Sequence, residues 1–163
     1  MRPTLIRAFA GGLIGTVVIT LVMYFVSPFV IGGPMDVAAM LASFLGASWV
    51  VGLITHFVIG VFALPALYVM IYPGLGGAPT TRGITWGVIL WLLAQAVVLP
   101  VTGGGFFSAQ AGGWRAVIDS LCGHLLYGLV LGAIAGGSRD FVEDRLELEP
   151  QVREPHVRVR RAG

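Results

Sequence analysis

Apolar residues run almost unbroken through four stretches of the chain, roughly 5–26, 44–72, 83–99 and 116–136, separated by breaks rich in proline and glycine. A helix rises about 1.5 Å per residue, so about 20 apolar residues cross roughly 30 Å of hydrocarbon with every backbone polar group bonded internally. The pattern predicts an all-α membrane protein, a bundle of four transmembrane helices. Arg2 and Arg7 precede the first stretch as in a secretory signal. That stretch is long, however, and no small-residue cleavage site follows it, so it is read as a retained span.

Composition agrees and adds a direction. Of 163 residues, 56% are hydrophobic and 11% charged, with a mean hydropathy of +0.89; soluble domains carry about 25% charged residues. Twelve of the 18 charges, six Arg and six acids, lie in 138–163, which reads as a charged cytoplasmic tail, partly disordered, behind a 1–137 membrane domain. So few charges in the first 137 residues exclude a soluble enzyme and a nucleic-acid binder, and the single Cys122 excludes a disulfide scaffold. Arg concentrates in cytoplasmic loops. Arg2 and Arg7, Arg82, and the six Arg of the tail fall on one side of a four-span chain. Both termini are therefore expected in the cytoplasm, with the links 28–43 and 101–115 outside.

The order of features suggests a duplicated helical hairpin. Arg7 with Gly11 and Gly12, then Pro28, Gly32 and Gly33, then His56 and Gly60, is followed by Arg82 with Gly83 and Gly87, Pro100, Gly103 to Gly105, His124 and Gly128. Such halves would be related by a pseudo-two-fold axis along the membrane normal, with the two histidines at similar depth. The outer links are too short and too apolar to be solvated domains and are expected to be interfacial or re-entrant, with Pro34 and Asp36 starting a helix in the first.

Small residues four apart let helix backbones approach where lipid removes any hydrophobic drive between helices. Ser120, His124, Gly128, Gly132 and Gly136 form one stripe, and Ser48, Gly52, His56 and Gly60 another. These glycines are read as packing residues, and both histidines are expected to face protein.

Polar residues in the bilayer are functional candidates by default. His56 and His124 lead, supported by Thr55, Gln95 and Ser120. Arg115, four residues before Asp119, accounts for that carboxylate as an intrahelical ion pair, and Gln95 is expected to bond between helices. Two histidines at matched depth have the arrangement of two axial ligands to a b-type haem. The ligands of a three-residue metal site with a general base are missing, as are a phosphate-binding loop and a nucleophile elbow.

His124-Leu-Leu-Tyr-Gly128, continuing to Gly132, together with Arg82-Gly83-Ile-Thr-Trp-Gly87 and the Gly11-Gly12 start, resembles an uncharacterised family of small four-span prokaryotic membrane proteins. The resemblance implies no activity. The expected protein is therefore a non-catalytic packing or accessory component of the prokaryotic cytoplasmic (inner) membrane, partnered by the lipid bilayer and by other membrane subunits or copies of itself. The alternatives are a haem b electron-transfer protein through His56 and His124, and a small channel or transporter.

Overall fold

A computed structural model describes residues 3–136; the charged tail lies outside the described residues. The described chain is all-helical. Four of its helices are long and apolar enough to cross a membrane: α1 (Leu5–Phe25), α4 (Trp49–Gly74), α5 (Pro79–Val101) and α6 (Gly113–Ala135). Two short helices, α2 (Ser27–Ile31) and α3 (Val37–Leu45), lie between α1 and α4. Large apolar side chains such as Ile6, Phe25, Phe29 and Met70 point outward, the surface expected of a chain solvated by lipid tails.

The element boundaries show what punctuates an apolar run. Phe44, at the start of the second apolar stretch, belongs to α3, because Gly46 takes a left-handed conformation (φ 63°) that ends that helix and Ser48 then starts α4. Asp36 caps α3 by accepting from the Ala39 N–H at 2.8 Å, so the helix starts one residue after the acid. Folded back on α4, α3 places its Ala38 carbonyl where a side chain at Gly52 would stand.

Around the bundle, α1 packs between α4 and α6, and α6 packs between α1 and α5. The seam between α5 and α6 is the closest. A Cβ at Gly83 would strike the Gly128 carbonyl, one at Gly87 the His124 carbonyl, and one at Gly132 the Pro79 carbonyl. Glycine is required there because backbone meets backbone. Near the face that carries both ends of the described chain, Arg7 donates to the carbonyls of Ile134 (3.2 Å) and Gly136 (3.1 Å), satisfying groups at the end of α6.

Two of the spans contain a wide turn, Ile59–Ala63 in α4 and Ala94–Val98 in α5. Each lies two residues ahead of a proline, Pro65 or Pro100. Proline has no N–H and clashes with the carbonyl four residues back; the helix responds by widening, so that the Leu64 N–H bonds the Ile59 carbonyl and the Leu99 N–H that of Ala94. The extra residue also turns the helix face. His56 and Tyr68 would stand about 120° apart on a regular helix and about 20° apart with one residue looped out. The wide turns fall in the second helix of one hairpin and the first of the other, so the two hairpins differ in this respect.

Candidate functional site

α4 and α5 share no extended packed seam. Toward the terminus-bearing face the bundle is filled by Tyr68, Tyr72, Trp86, Tyr127 and Leu131, and the Tyr68 ring lies 6.2 Å from that of Trp86. Toward the opposite face a cavity of about 580 Å³ opens, lined by all four spans and by both links. One link contributes α3, and the other the short turn Phe106–Ser108.

His56 and His124 both line this cavity. His56 is in the third turn of α4 and His124 in the fourth turn of α6. Their hydrogen bonds assign the ring protons. His124 Nδ1 lies 2.7 Å from the Ser120 carbonyl, which only accepts, so Nδ1 carries the proton. The neutral ring therefore presents Nε2 as an acceptor. His56 Nε2 lies 3.2 Å from the Thr20 hydroxyl oxygen, whose own proton goes to the Thr16 carbonyl at 2.6 Å. His56 must then donate from Nε2, which leaves its Nδ1 as the acceptor.

Asp119 is buried on the cavity wall and accepts from the Ser27 hydroxyl at 2.5 Å. This replaces the expected ion pair with Arg115, whose guanidinium lies over the exposed ring of Trp114. A long cationic side chain at a span end reaches outward to keep its charge hydrated, while a short carboxylate on the buried face takes the nearest donor. Gln95 is fully buried in the cavity wall, where its Oε1 accepts from Ser108 at 2.9 Å and its Nε2 has no partner. The partner sits on the link between α5 and α6 rather than on a neighbouring span. Phe107 and Ser108 hold positive φ values of 50° and 55°, a conformation costing on the order of 1–3 kcal/mol per residue, and Ser108 in that setting is buried against Gln95.

Thr55 bonds back to the Val51 carbonyl of its own helix and does not line the cavity, whereas Ser120 does. Among the described residues, no group of three or more His, Cys, Asp or Glu stands close enough to hold a metal ion. The site also draws on residues that no sequence pattern marks as candidates, among them Thr20, Ser27, Ser108 and Tyr127. Tyr127 donates at 2.6 Å to the Gly60 carbonyl. That carbonyl has lost its α-helical partner to the wide turn, and the residue five ahead is Pro65, which has no N–H to offer. The signal was present as a proline five residues after a glycine in one span and a lone tyrosine in another, but nothing in the order of residues links them.

The motif of the last span thus divides its labour, with His124 on the cavity, Tyr127 on α4 and Gly128 on α5. A family described as being of unknown function, DUF6789, matches residues 2–140. The chain belongs to that family. No curated protein and no solved structure matches it. Membership in DUF6789 and four apolar helices establish a membrane protein of uncharacterised role.

Proposed function

We propose that this DUF6789 protein is a non-catalytic accessory component of the prokaryotic cytoplasmic membrane that holds a small lipid-soluble molecule between its spans. The observation that carries this is the 580 Å³ cavity, whose volume lies within the roughly 300–1,000 Å³ of sites that take small molecules. Its wall is mainly apolar, as with Ile19, Leu64, Leu90 and Leu93, and brings in only a few polar groups, among them His56, Gln95, Asp119 and His124. The aromatic cluster closes one end. Arg7 and Arg82 mark the closed face as the cytoplasmic one, so the cavity faces the outer half of the bilayer.

Solvent extraction of the purified protein followed by mass spectrometry tests this. A molecule retained by the wild type and lost from Ala94→Trp, which fills the wall, is the expected result. Equal content in both proteins contradicts the proposal.

A second reading, ligation of a b-type haem by His56 and His124, is favoured by their sharing one cavity and by the backbone-anchored Nδ1 of His124, an arrangement common in metal-bound histidines. Axial ligation through both Nε2 atoms requires His56 to give up its bond to Thr20, which places this reading second. Expression with added haem separates the two, because a haem protein shows a Soret band that His124→Ala abolishes.

A further inference from the structure

The polar groups of the cavity wall are unequally spent. Five hydroxyls on the wall give their protons to protein acceptors: Thr16 to the Gly12 carbonyl (2.7 Å), Thr102 to the Val98 carbonyl (2.8 Å), Tyr127 to the Gly60 carbonyl (2.6 Å), Ser27 to Asp119 (2.5 Å) and Ser108 to Gln95 (2.9 Å). The proton assignments of the two histidines leave an acceptor nitrogen on each, Nε2 of His124 and Nδ1 of His56. Asp119 keeps a second carboxylate oxygen beyond the one that Ser27 occupies. On the donor side, the Nε2 of Gln95 has no partner but is enclosed by protein, and the Ser120 hydroxyl, 3.4 Å from the protonated Nδ1 of His124, keeps its proton for the cavity.

Acceptors left without a donor in an apolar cavity carry a desolvation cost that a ligand hydroxyl removes and a ligand carbonyl does not, since two lone pairs then face each other. Resting on the reading of this cavity as a ligand site, we propose that its occupant is a lipid-soluble molecule that presents a hydroxyl group, as phenols and hydroquinones do. Its hydroxyl hydrogen goes to His124 Nε2. The site selects the reduced, hydroxyl-bearing form over the quinone of the same carbon skeleton. Ile59, Leu64, Leu90 and Leu93 supply the apolar surround. A site built to bond a hydroxyl rejects the analogue lacking it far more strongly than an apolar pocket discriminates shape.

Duroquinol and duroquinone share a skeleton and differ only in offering donors or acceptors. Titration of the wild-type protein in detergent, anaerobically for the quinol, is expected to show duroquinol binding at least tenfold more tightly, with a matching difference in the thermal transition. His124→Phe keeps the volume and removes the acceptor; it is expected to bring the two affinities within about threefold of each other. Equal wild-type affinities, or a preference for the quinone, overturn the selectivity while leaving the cavity as a ligand site. Binding of neither compound, with no co-purifying molecule in the extracted protein, overturns both. The wild-type comparison stands without any variant, so a misfolded His124→Phe does not remove the test; a folded His124→Phe that keeps the tenfold preference removes His124 from the proposal.

Discussion

The two ends of the bundle are built on opposite principles. Toward the terminus-bearing face, α5 and α6 touch backbone to backbone through Gly83, Gly128 and Gly132, and the space beside them is filled by Tyr68, Tyr72, Trp86 and Leu131. Toward the other face α4 and α5 part, and the bonds around the gap are polar and piecemeal, each tying a neighbouring element to its wall: Ser27 to Asp119, Ser108 to Gln95, His56 to Thr20. The wide turns at Ile59–Ala63 and Ala94–Val98 stand in the two helices that part. In lipid, where apolar surface gains little by leaving its surroundings, the half that must hold uses small residues, and the half that must stay open uses proline-driven turns and side-chain bonds.

The largest effect is expected from closing off the tight seam. Gly83→Leu or Gly128→Leu places a side chain where a facing carbonyl stands, and the loss is expected to exceed about 3 kcal/mol. Loss of a single monodisperse peak in detergent chromatography is the readout, and retention of the wild-type thermal transition by both variants would show that the seam does not hold the bundle. Tyr127→Phe comes next, since it leaves the buried Gly60 carbonyl without its donor. A cost of about 1–3 kcal/mol is expected, read as a lowered thermal transition, and an unchanged transition would mean that the carbonyl finds another donor.

At the open end, Asp36 accepts from Tyr24 at 2.6 Å, from the Ala39 N–H and from Trp49, tying α1, α3 and α4 together. Burial by itself pushes this carboxyl up, but the donated hydrogen bonds outweigh it and hold the group below its ordinary value of 3.8. A depressed folded value stabilises fully above the unfolded one, so this contribution is present above about pH 4 and is lost as the pH falls through the folded value. Asp36→Asn is expected to flatten the acid limb of stability against pH; an identical acid limb would place the dependence elsewhere. Arg115→Ala should do least, within about 0.5 kcal/mol, because its guanidinium rests on the exposed ring of Trp114 and Asp119 is served by Ser27. A large loss would restore the ion pair that the geometry replaces.

How much was legible follows from the range of each signal. Four spans were visible because hydropathy is summed over about 20 residues and survives errors at the ends. Gly83, Gly128 and Gly132 were visible because a spacing of four is a property of one helix. Asp119 was visible as a buried carboxylate but misassigned to Arg115, because sequence spacing shows which groups are within reach and not where a long side chain finds water. Gln95 stands out as a polar residue in an apolar run, whereas Ser108 does not, since that residue reaches it only through a turn with positive φ.

The sequence by itself determined that this chain lives in lipid, crosses it four times and packs through glycine, because those properties belong to single segments and to the solvent each requires. Only the tertiary structure decided that His56 and His124 share a cavity, which ring nitrogen of each keeps its lone pair, and that Tyr127 repairs a carbonyl opened by a proline in another helix. Hydrogen bonds between residues as far apart as Gly60 and Tyr127, or Ser27 and Asp119, depend on how the helices are rotated. In α4 that rotation is set by one extra residue in a wide turn, which no local pattern of hydrophobicity records.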